Sequence, residues 1–240
     1  MSERIGIDTH IGFRGFTSLV RPPADLIERL AEYAPPDLSD VTRGACTLDP
    51  AIRPLWPFVG RIAGPAVTVC VPQGSLNPIK FAMEQCRPGD VMVVNARGIV
   101  AYAVWGGNVS KGMKHRGLAG VIIDGAARDP EEAQAAGLPI FARAQATAAP
   151  PYDGAGEINV PVACGGVVVR PGDIIVADVN GIVAVPQEAA AWVLVQAADL
   201  RARFAKIQPV LERGEVTNIA AIIDGLRRQG FAIDGQVRTE

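Results

Sequence analysis

Arg87–Gly98 reads RPGDVMVVNARG, and Arg170–Gly181 echoes it as RPGDIIVADVNG. Each copy opens on Pro-Gly-Asp, a tight-turn tripeptide, and runs into apolar and β-branched residues of the kind that form a buried strand. Two such units in one chain point to pseudo-symmetric packing, while two copies are too few for a solenoid.

Working outward from the first copy, strand-like and helix-like stretches alternate. Arg61–Val71 (RIAGPAVTVCV) is β-rich, and Asn77–Gln85 has helical character, with Pro78 near its first turn. Beyond Gly98, Asn108–Arg116 reads as a helix and Ala119–Asp124 (AGVIID) as a buried strand. Pro130–Ala136 follows as a helix and Pro139–Arg143 as a strand. This alternation predicts an α/β core with parallel pairing. Ahead of it, Asp25–Ala34 has apolar residues at helical spacing between Pro22-Pro23 and Pro35-Pro36, which should end it. Asp37, Ser39 or Asp40 could cap a second short helix. The C-terminal part is a helical tail: Gln187–Gln208, a break at Pro209, then Thr217–Gln229. No linker is long enough to divide the chain, so residues 1–240 read as one domain, with a core of about 37–186 and an extension over 187–240.

With 240 residues, 49% of them hydrophobic, the chain has ample material for one large core. A net charge of -2 excludes an electrostatic nucleic-acid footprint. The most basic stretch, Lys111–Arg116, reads as a solvated helix face. Cys46, Cys70, Cys86 and Cys164 form no CxxC pair and no ligand-like spacing with His10 or His115. Cys70 and Cys164 lie in apolar runs and read as buried hydrophobes. Met1–Val20 lacks the apolar core of a signal peptide, and no run is long enough to span a membrane. The expectation is a cytoplasmic protein with no membrane partner.

The chemistry-bearing stretch is Gly106–Asp129, GGNVSKGMKHRGLAGVIIDGAARD. Two glycines precede a helix whose first amides have no internal partner and carry the positive end of its dipole. Gly106, Gly107, Asn108 and Val109 could therefore cradle a carboxylate or phosphate, or the glycines could form only a turn. Arg128-Asp129 follows the strand ending at Asp124, and the carboxyl end of a parallel strand is where ligands usually bind. Arginine there could grip a carboxylate and a keto oxygen together. Asp129 could hold magnesium, or cap a helix with Pro130 at its first position and Glu131 and Glu132 favouring its dipole. Arg143 could reach a distal substrate carboxylate, and Lys80, Lys111 and Lys114 could line an anionic pocket. Asp124 reads as a turn or hydrogen-bonding residue. No nucleophile–base constellation, Walker loop or dinucleotide fingerprint is present.

The segments GLAGVIIDGAARD, GLPIFAR and INVPVACGGVVVRPGDIIVADVNGIVAVP, spread over Leu38 to Pro186, resemble the RraA-like family, whose enzymatic branch contains 4-hydroxy-4-methyl-2-oxoglutarate aldolases and oxaloacetate decarboxylases. The resemblance implies a swivelling β/β/α-type sandwich that assembles as a homotrimer or homohexamer. It implies a Mg2+ (or Mn2+) lyase acting on a 2-oxo acid. In that reading Arg128 is catalytic and binds the pyruvoyl group, Asp129 organises the metal, and the amides of Gly106, Gly107, Asn108 and Val109 hold the substrate carboxylate. Two departures stand out. Enzymatic members carry an acid directly after the first glycine, where this chain has Gly107. A glutamate of their C-terminal helix falls near Phe204, with Glu212 and Glu215 the nearest acids here. Other family members act as protein-binding inhibitors of an RNA-degrading enzyme, which makes a non-catalytic regulator, or a relative with different 2-oxo acid chemistry, the alternative. A methyltransferase is excluded by the lack of a suitable glycine-rich nucleotide loop.

Overall fold

The structure, a computed structural model, describes residues 10–232. The opening nine residues, part of the Met1–Val20 stretch read above, lie outside it. In chain order the elements are β1 (Phe13–Gly15), α1 (Ala24–Ala31), α2 (Pro35–Val41), β2 (Arg53–Pro54), β3 (Arg61–Cys70) and α3 (Leu76–Gln85). Next come β4 (Val91–Ala103), α4 (Gly107–His115), β5 (Gly120–Ala127), α5 (Pro130–Ala136) and β6 (Ile140–Gln145). The strands β7 (Gly156–Ile158), β8 (Val162–Cys164), β9 (Val167–Val169), β10 (Ile174–Asp178) and β11 (Gly181–Val185) precede α6 (Ala190–Glu212) and α7 (Ile219–Arg228).

The expected α/β core is present. β3, β4, β5 and β6 pair in that order, all parallel, and α3, α4 and α5 are the crossovers between them. Period-two alternation assigns the faces. Met92, Val94, Val121 and Ile123 pack with Ile79, Ala82, Met113 and Ala133 of the three helices. Their neighbours Val91, Val93 and Ile122 pack the other way, with Val162, Cys164, Val169, Ile175 and Ile182. One face of the parallel sheet is thus covered by helices and the other by strands, the β/β/α layering. The outer side of the β10–β11 hairpin is covered by α1, α2 and the start of α6, through Leu30, Leu38, Val193 and Leu194 against Ile174, Val176, Val183 and Val185.

The RPGD echo is a local likeness rather than a symmetry. In both copies the aspartate carboxylate accepts from the arginine amide three residues earlier, Arg87 to Asp90 and Arg170 to Asp173, each at 2.7 Å. Both following strands then join β3, but in opposite senses. β4 runs parallel to residues 66–70 and β10 antiparallel to residues 61–65. The change of partner falls at Pro65, which has no N–H to give, and at Ala66, whose N–H donates to the Asp173 carbonyl at 2.8 Å.

Three boundaries differ from the sequence reading. Pro35-Pro36 does not merely end α1 but starts α2; its cap position is Ala34, whose N–H donates to Asp37 at 3.3 Å, so Asp37 closes the helix from its third position. β4 does not stop at Gly98: a bulge with left-handed Arg97 and Gly98 lets it continue to Ala103. α6 is not broken at Pro209. That proline falls in the last turn, where it removes a single ladder bond. The described residues form two compact units, which divide within α6 between Ala197 and Ala198. Among the described residues no helix is long and apolar enough to cross a membrane.

Candidate functional site

The carboxyl ends of β4 and β5 are zipped together past the last sheet pair. Val104 donates to the Ala126 carbonyl and Arg128 donates to the Trp105 carbonyl, each at 2.9 Å, which sets Gly106 beside Arg128. Buried Trp105 then pins the start of α4: its indole N–H donates to Ser110 Oγ at 3.0 Å, and that hydroxyl donates to the Gly106 carbonyl at 2.9 Å. Gly106 has extended backbone and needs to be glycine for room alone. A Cβ there would lie 2.9 Å from Asp129 Oδ2 and 3.2 Å from Arg128 Nε.

Asp129 occupies the cap position of α5, with Pro130 first in the helix, but its side chain does not cap that helix. Its backbone is left-handed, φ 54°, an uncommon conformation for a residue with a side chain and one that concentrates at functional sites. From there Oδ2 accepts the N–H of Gly107 at 3.1 Å, while Oδ1 takes no hydrogen bond among the described residues. The helix whose N-terminus Asp129 serves is α4, a sequence-distant partner. This corrects the expected anion cradle in one respect: the Gly107 amide is taken by Asp129. The amides of Asn108 and Val109 belong to the first turn, which helix geometry leaves without an internal acceptor.

Arg128 Nε stands 3.6 Å from Asp129 Oδ2, and Nη1 donates to the Thr147 carbonyl at 3.4 Å. The two side chains are 44% and 42% exposed, so they meet solvent and any ligand in it. They form a partition between two clefts. One, of about 80 Å3, is bounded by Leu76, Trp105, Gly106 to Val109 and Ala149; the other, of about 310 Å3, by Pro130, Gln145, Ala146 and Thr147. All the site residues predicted from sequence, Gly106 to Val109 with Arg128 and Asp129, are thus brought together around the first cleft. A cationic fork, a carboxylate and helix-start amides at one opening can bind a small oxo acid through its carboxylate and keto oxygens.

The donor set suits a hard cation that keeps most of its waters. Asp129 presents one uncommitted carboxylate oxygen, which is enough for magnesium held mainly through water. Among the described residues no group of three His, Cys, Asp or Glu side chains could enclose an ion, so a fully protein-built cage is not on offer.

Arg143 does not face this site. Its Nε donates to Asp124 and its Nη1 to Asp49 at 2.7 Å, and these two carboxylates raise its already high pKa. Asp124, whose other oxygen accepts from the Gly165 amide at 2.7 Å, is the hydrogen-bonding residue that the sequence suggested. Lys80 lies over the Tyr152 ring, 4.3 Å from its centre, and Lys111 pairs with Glu132 at 2.8 Å, so neither lines the cleft. Burial pushes the thiols of Cys70 and Cys164 upward, as for unreactive packing cysteines. In the second unit, Glu215 is engaged by Arg213 at 2.7 Å, and Glu212 accepts from Gln208 at 3.3 Å. Sequence reasoning gave Glu132 only a helix-dipole role and missed its turn toward α4. The D-x-x-E pattern of Asp129–Glu132 carried the available signal.

The family model described as "RraA-like: Aldolase/RraA" matches residues 35–184. A Halalkalibacterium halodurans protein named "Putative 4-hydroxy-4-methyl-2-oxoglutarate aldolase" is 41% identical over 150 residues, 62% of this chain and 71% of its own. An uncharacterised protein of Methanocaldococcus jannaschii is 34% identical over 190 residues, 78% of this chain and 88% of its own. Among solved structures, Streptomyces coelicolor RraAS2, described as an unusual member of the RNase ES inhibitor RraA protein family, superposes with a TM-score of 0.69 at 25% identity, covering 79% of this chain and 100% of its own. With the layered sheet, the match over 35–184 and these likenesses together, the chain belongs to the RraA-like family.

Proposed function

We propose that this protein is a divalent-metal-dependent lyase that cleaves a carbon–carbon bond of a 4-hydroxy-2-oxo acid and releases pyruvate, with oxaloacetate decarboxylation as a side activity. The observation that carries the reading is the convergence of Arg128 and Asp129 on the first turn of α4, fixed by the 3.1 Å bond from the Gly107 amide to Asp129 Oδ2. The aldolase name of the 41% identical relative supports the same class.

In this mechanism the Asn108 and Val109 amides hold the substrate carboxylate at the positive end of the α4 dipole. Arg128 spans that carboxylate and the 2-oxo oxygen and stabilises the charge that grows on the oxygen as the bond to C4 breaks. Mg2+ or Mn2+ held by Asp129 would supply Lewis-acid polarisation of the same oxygen. Oxaloacetate reaches the same enolate by losing carbon dioxide, so one electrostatic site serves both substrates. The family resemblance further supports a homotrimer or homohexamer.

The direct test supplies purified protein with 4-hydroxy-2-oxo acids and oxaloacetate, with and without magnesium, and measures pyruvate. Release above the metal-only background is expected. The second reading, a protein-binding regulator, is favoured by the description of the Streptomyces relative. It replaces the first if no pyruvate is released and Arg128→Lys binds oxalate, an enolate mimic, as tightly as the parent.

A further inference from the structure

Helices α3 and α4 both start at the first cleft, and their N-termini differ. At α4 the Asn108 and Val109 amides lack an internal acceptor. At α3 the donors are already engaged. The Leu76 N–H donates to the Pro151 carbonyl at 3.2 Å and the Asn77 N–H to the Tyr152 carbonyl at 2.9 Å, while Pro78, third in the helix, has none. Both acceptors belong to the connection from β6 to β7, residues 146–155. That segment is also tied to β4, where the Ala103 N–H donates to the Ala148 carbonyl at 2.8 Å. Fastened at both points, it brings Ala149 into the cleft lining with Leu76 and Val104. Charge is placed just as unevenly. Among the described residues, Arg128 is the single cationic side chain lining either cleft, and the other charged one is Asp129. The neighbouring cations are engaged elsewhere: Arg143 with Asp124 and Asp49, Lys111 with Glu132, and Lys80 over Tyr152. A ligand whose 2-oxo acid head takes the α4 amides and Arg128 has its far end against Leu76, Val104 and Ala149. A second carboxylate there finds no counter-charge and is repelled by Asp129.

We propose that the substrate is a monocarboxylic 4-hydroxy-2-oxo acid with an apolar substituent on C4, selected by the wall of Leu76, Val104 and Ala149; this rests on the lyase reading above. Cleavage of such an acid breaks the C3–C4 bond, whose pair becomes the C2–C3 double bond of an enolate. The C2 carbonyl pair moves to the oxygen that Arg128 holds. The O–H pair of the C4 hydroxyl forms the carbonyl of a small aldehyde, and the hydroxyl proton leaves to water. A proton from water then completes the methyl group of pyruvate, so atoms and electrons balance with no oxidant or reductant. On oxaloacetate, the carboxylate left at that wall without a counter-charge is the group that departs as carbon dioxide.

The test uses two pairs of compounds matched in length, each pair differing by a methyl group against a carboxylate at C5. With magnesium present, calorimetry should show 2-oxopentanoate, which has no hydroxyl and is not cleaved, bound about 10-fold or more tightly than 2-oxoglutarate. In pyruvate-release assays, 4-hydroxy-2-oxopentanoate should exceed 4-hydroxy-2-oxoglutarate by at least about 10-fold in kcat/KM. Ala149 is exposed, and the extended backbone favoured before Pro150 accepts a long side chain. Ala149→Arg supplies the missing cation and should move both ratios about 10-fold toward the diacid. Equal or tighter binding of 2-oxoglutarate, an equal or better rate on 4-hydroxy-2-oxoglutarate, or parental ratios in Ala149→Arg would overturn the assignment, and the lyase reading would stand wherever pyruvate is released. A parent that releases no pyruvate from either substrate removes the lyase reading, and the assignment with it.

Discussion

Asp129 begins α5 yet spends its carboxylate on Gly107, the first residue of α4, 22 positions earlier in the chain. The contact joins the two crossover helices at their N-termini and leaves Oδ1 without a hydrogen bond among the described residues. Asp129→Ala should therefore abolish magnesium dependence while the fold survives, at a cost of about 1 kcal/mol for the lost helix-start bond. Calorimetry showing parental magnesium affinity in the variant would reduce Asp129 to a structural tie.

Gly107→Asp alone should destabilise the protein, because the new Cβ meets the Glu132 Cβ at 2.5 Å. Overpacking of this kind costs about 1–3 kcal/mol. Adding Glu132→Ala should recover most of that loss, so a double-mutant cycle on urea unfolding should show strong coupling between the two positions. Independent, additive effects would mean that the backbone moves aside freely.

For Arg128→Lys, turnover should fall on the order of 100- to 1000-fold, the usual effect of removing a preorganised donor. The guanidinium reaches the Thr147 carbonyl with Nη1 and approaches Asp129 with Nε, so it has contacts at two points. A lysine ammonium is a single movable charge and presents no planar fork. Steady-state pyruvate assays at saturating magnesium decide the point.

Asp173 gives a pH signature. Burial, the leading cause, raises its pKa above the ordinary 3.8; the Arg170 and Gln187 amides and the Arg170 charge oppose the shift, and Glu188 adds to it. A carboxyl raised in the folded state loses its proton first in the unfolded chain, so its contribution to stability falls as pH rises from 3.8 through the folded value. Asp173→Asn removes this titration. The variant's stability relative to the parent should rise with pH across that window in urea melts, and a pH-independent difference would refute the assignment.

A trimer or hexamer is expected in solution, and light scattering at micromolar concentration is the check. In the second unit Phe204, Ile219 and Ile222 are exposed apolar side chains, consistent with surfaces that a neighbour covers. A monomer would count against the assembly.

The fold was legible because its signals are local. The Pro-Gly-Asp turns, the apolar, β-branched run of Val91–Val94 and the Pro130 start of α5 each act within a few residues. The site was legible as a cluster for the same reason, since Gly106–Val109 and Arg128–Asp129 sit at consecutive helix starts. What escaped was the direction of side chains that leave their own element. The sequence cannot say that Asp129 turns to α4 through a left-handed backbone, that Glu132 follows it, or that Arg143 is consumed by Asp124 and Asp49. Those outcomes depend on which helix start lies alongside, a tertiary fact. Pro35 and Pro209 were misread for a simpler reason. Proline excludes a helix interior but is tolerated in a first turn, and near a helix end it removes only one bond.

The change of partner along β3 has a consequence for how the chain is made. Residues 66–70 find β4 within about a helix and a turn of synthesis, whereas residues 61–65 wait for β10, more than a hundred residues later. Until then that half-strand is an open edge, offering unpaired backbone groups to any other nascent chain. A ribosome stalled before Ile174 therefore holds a chain that has its crossover helices and ligand cleft but still carries an adhesive border. That border is closed only by the last third of the chain, downstream of every residue proposed to do the chemistry.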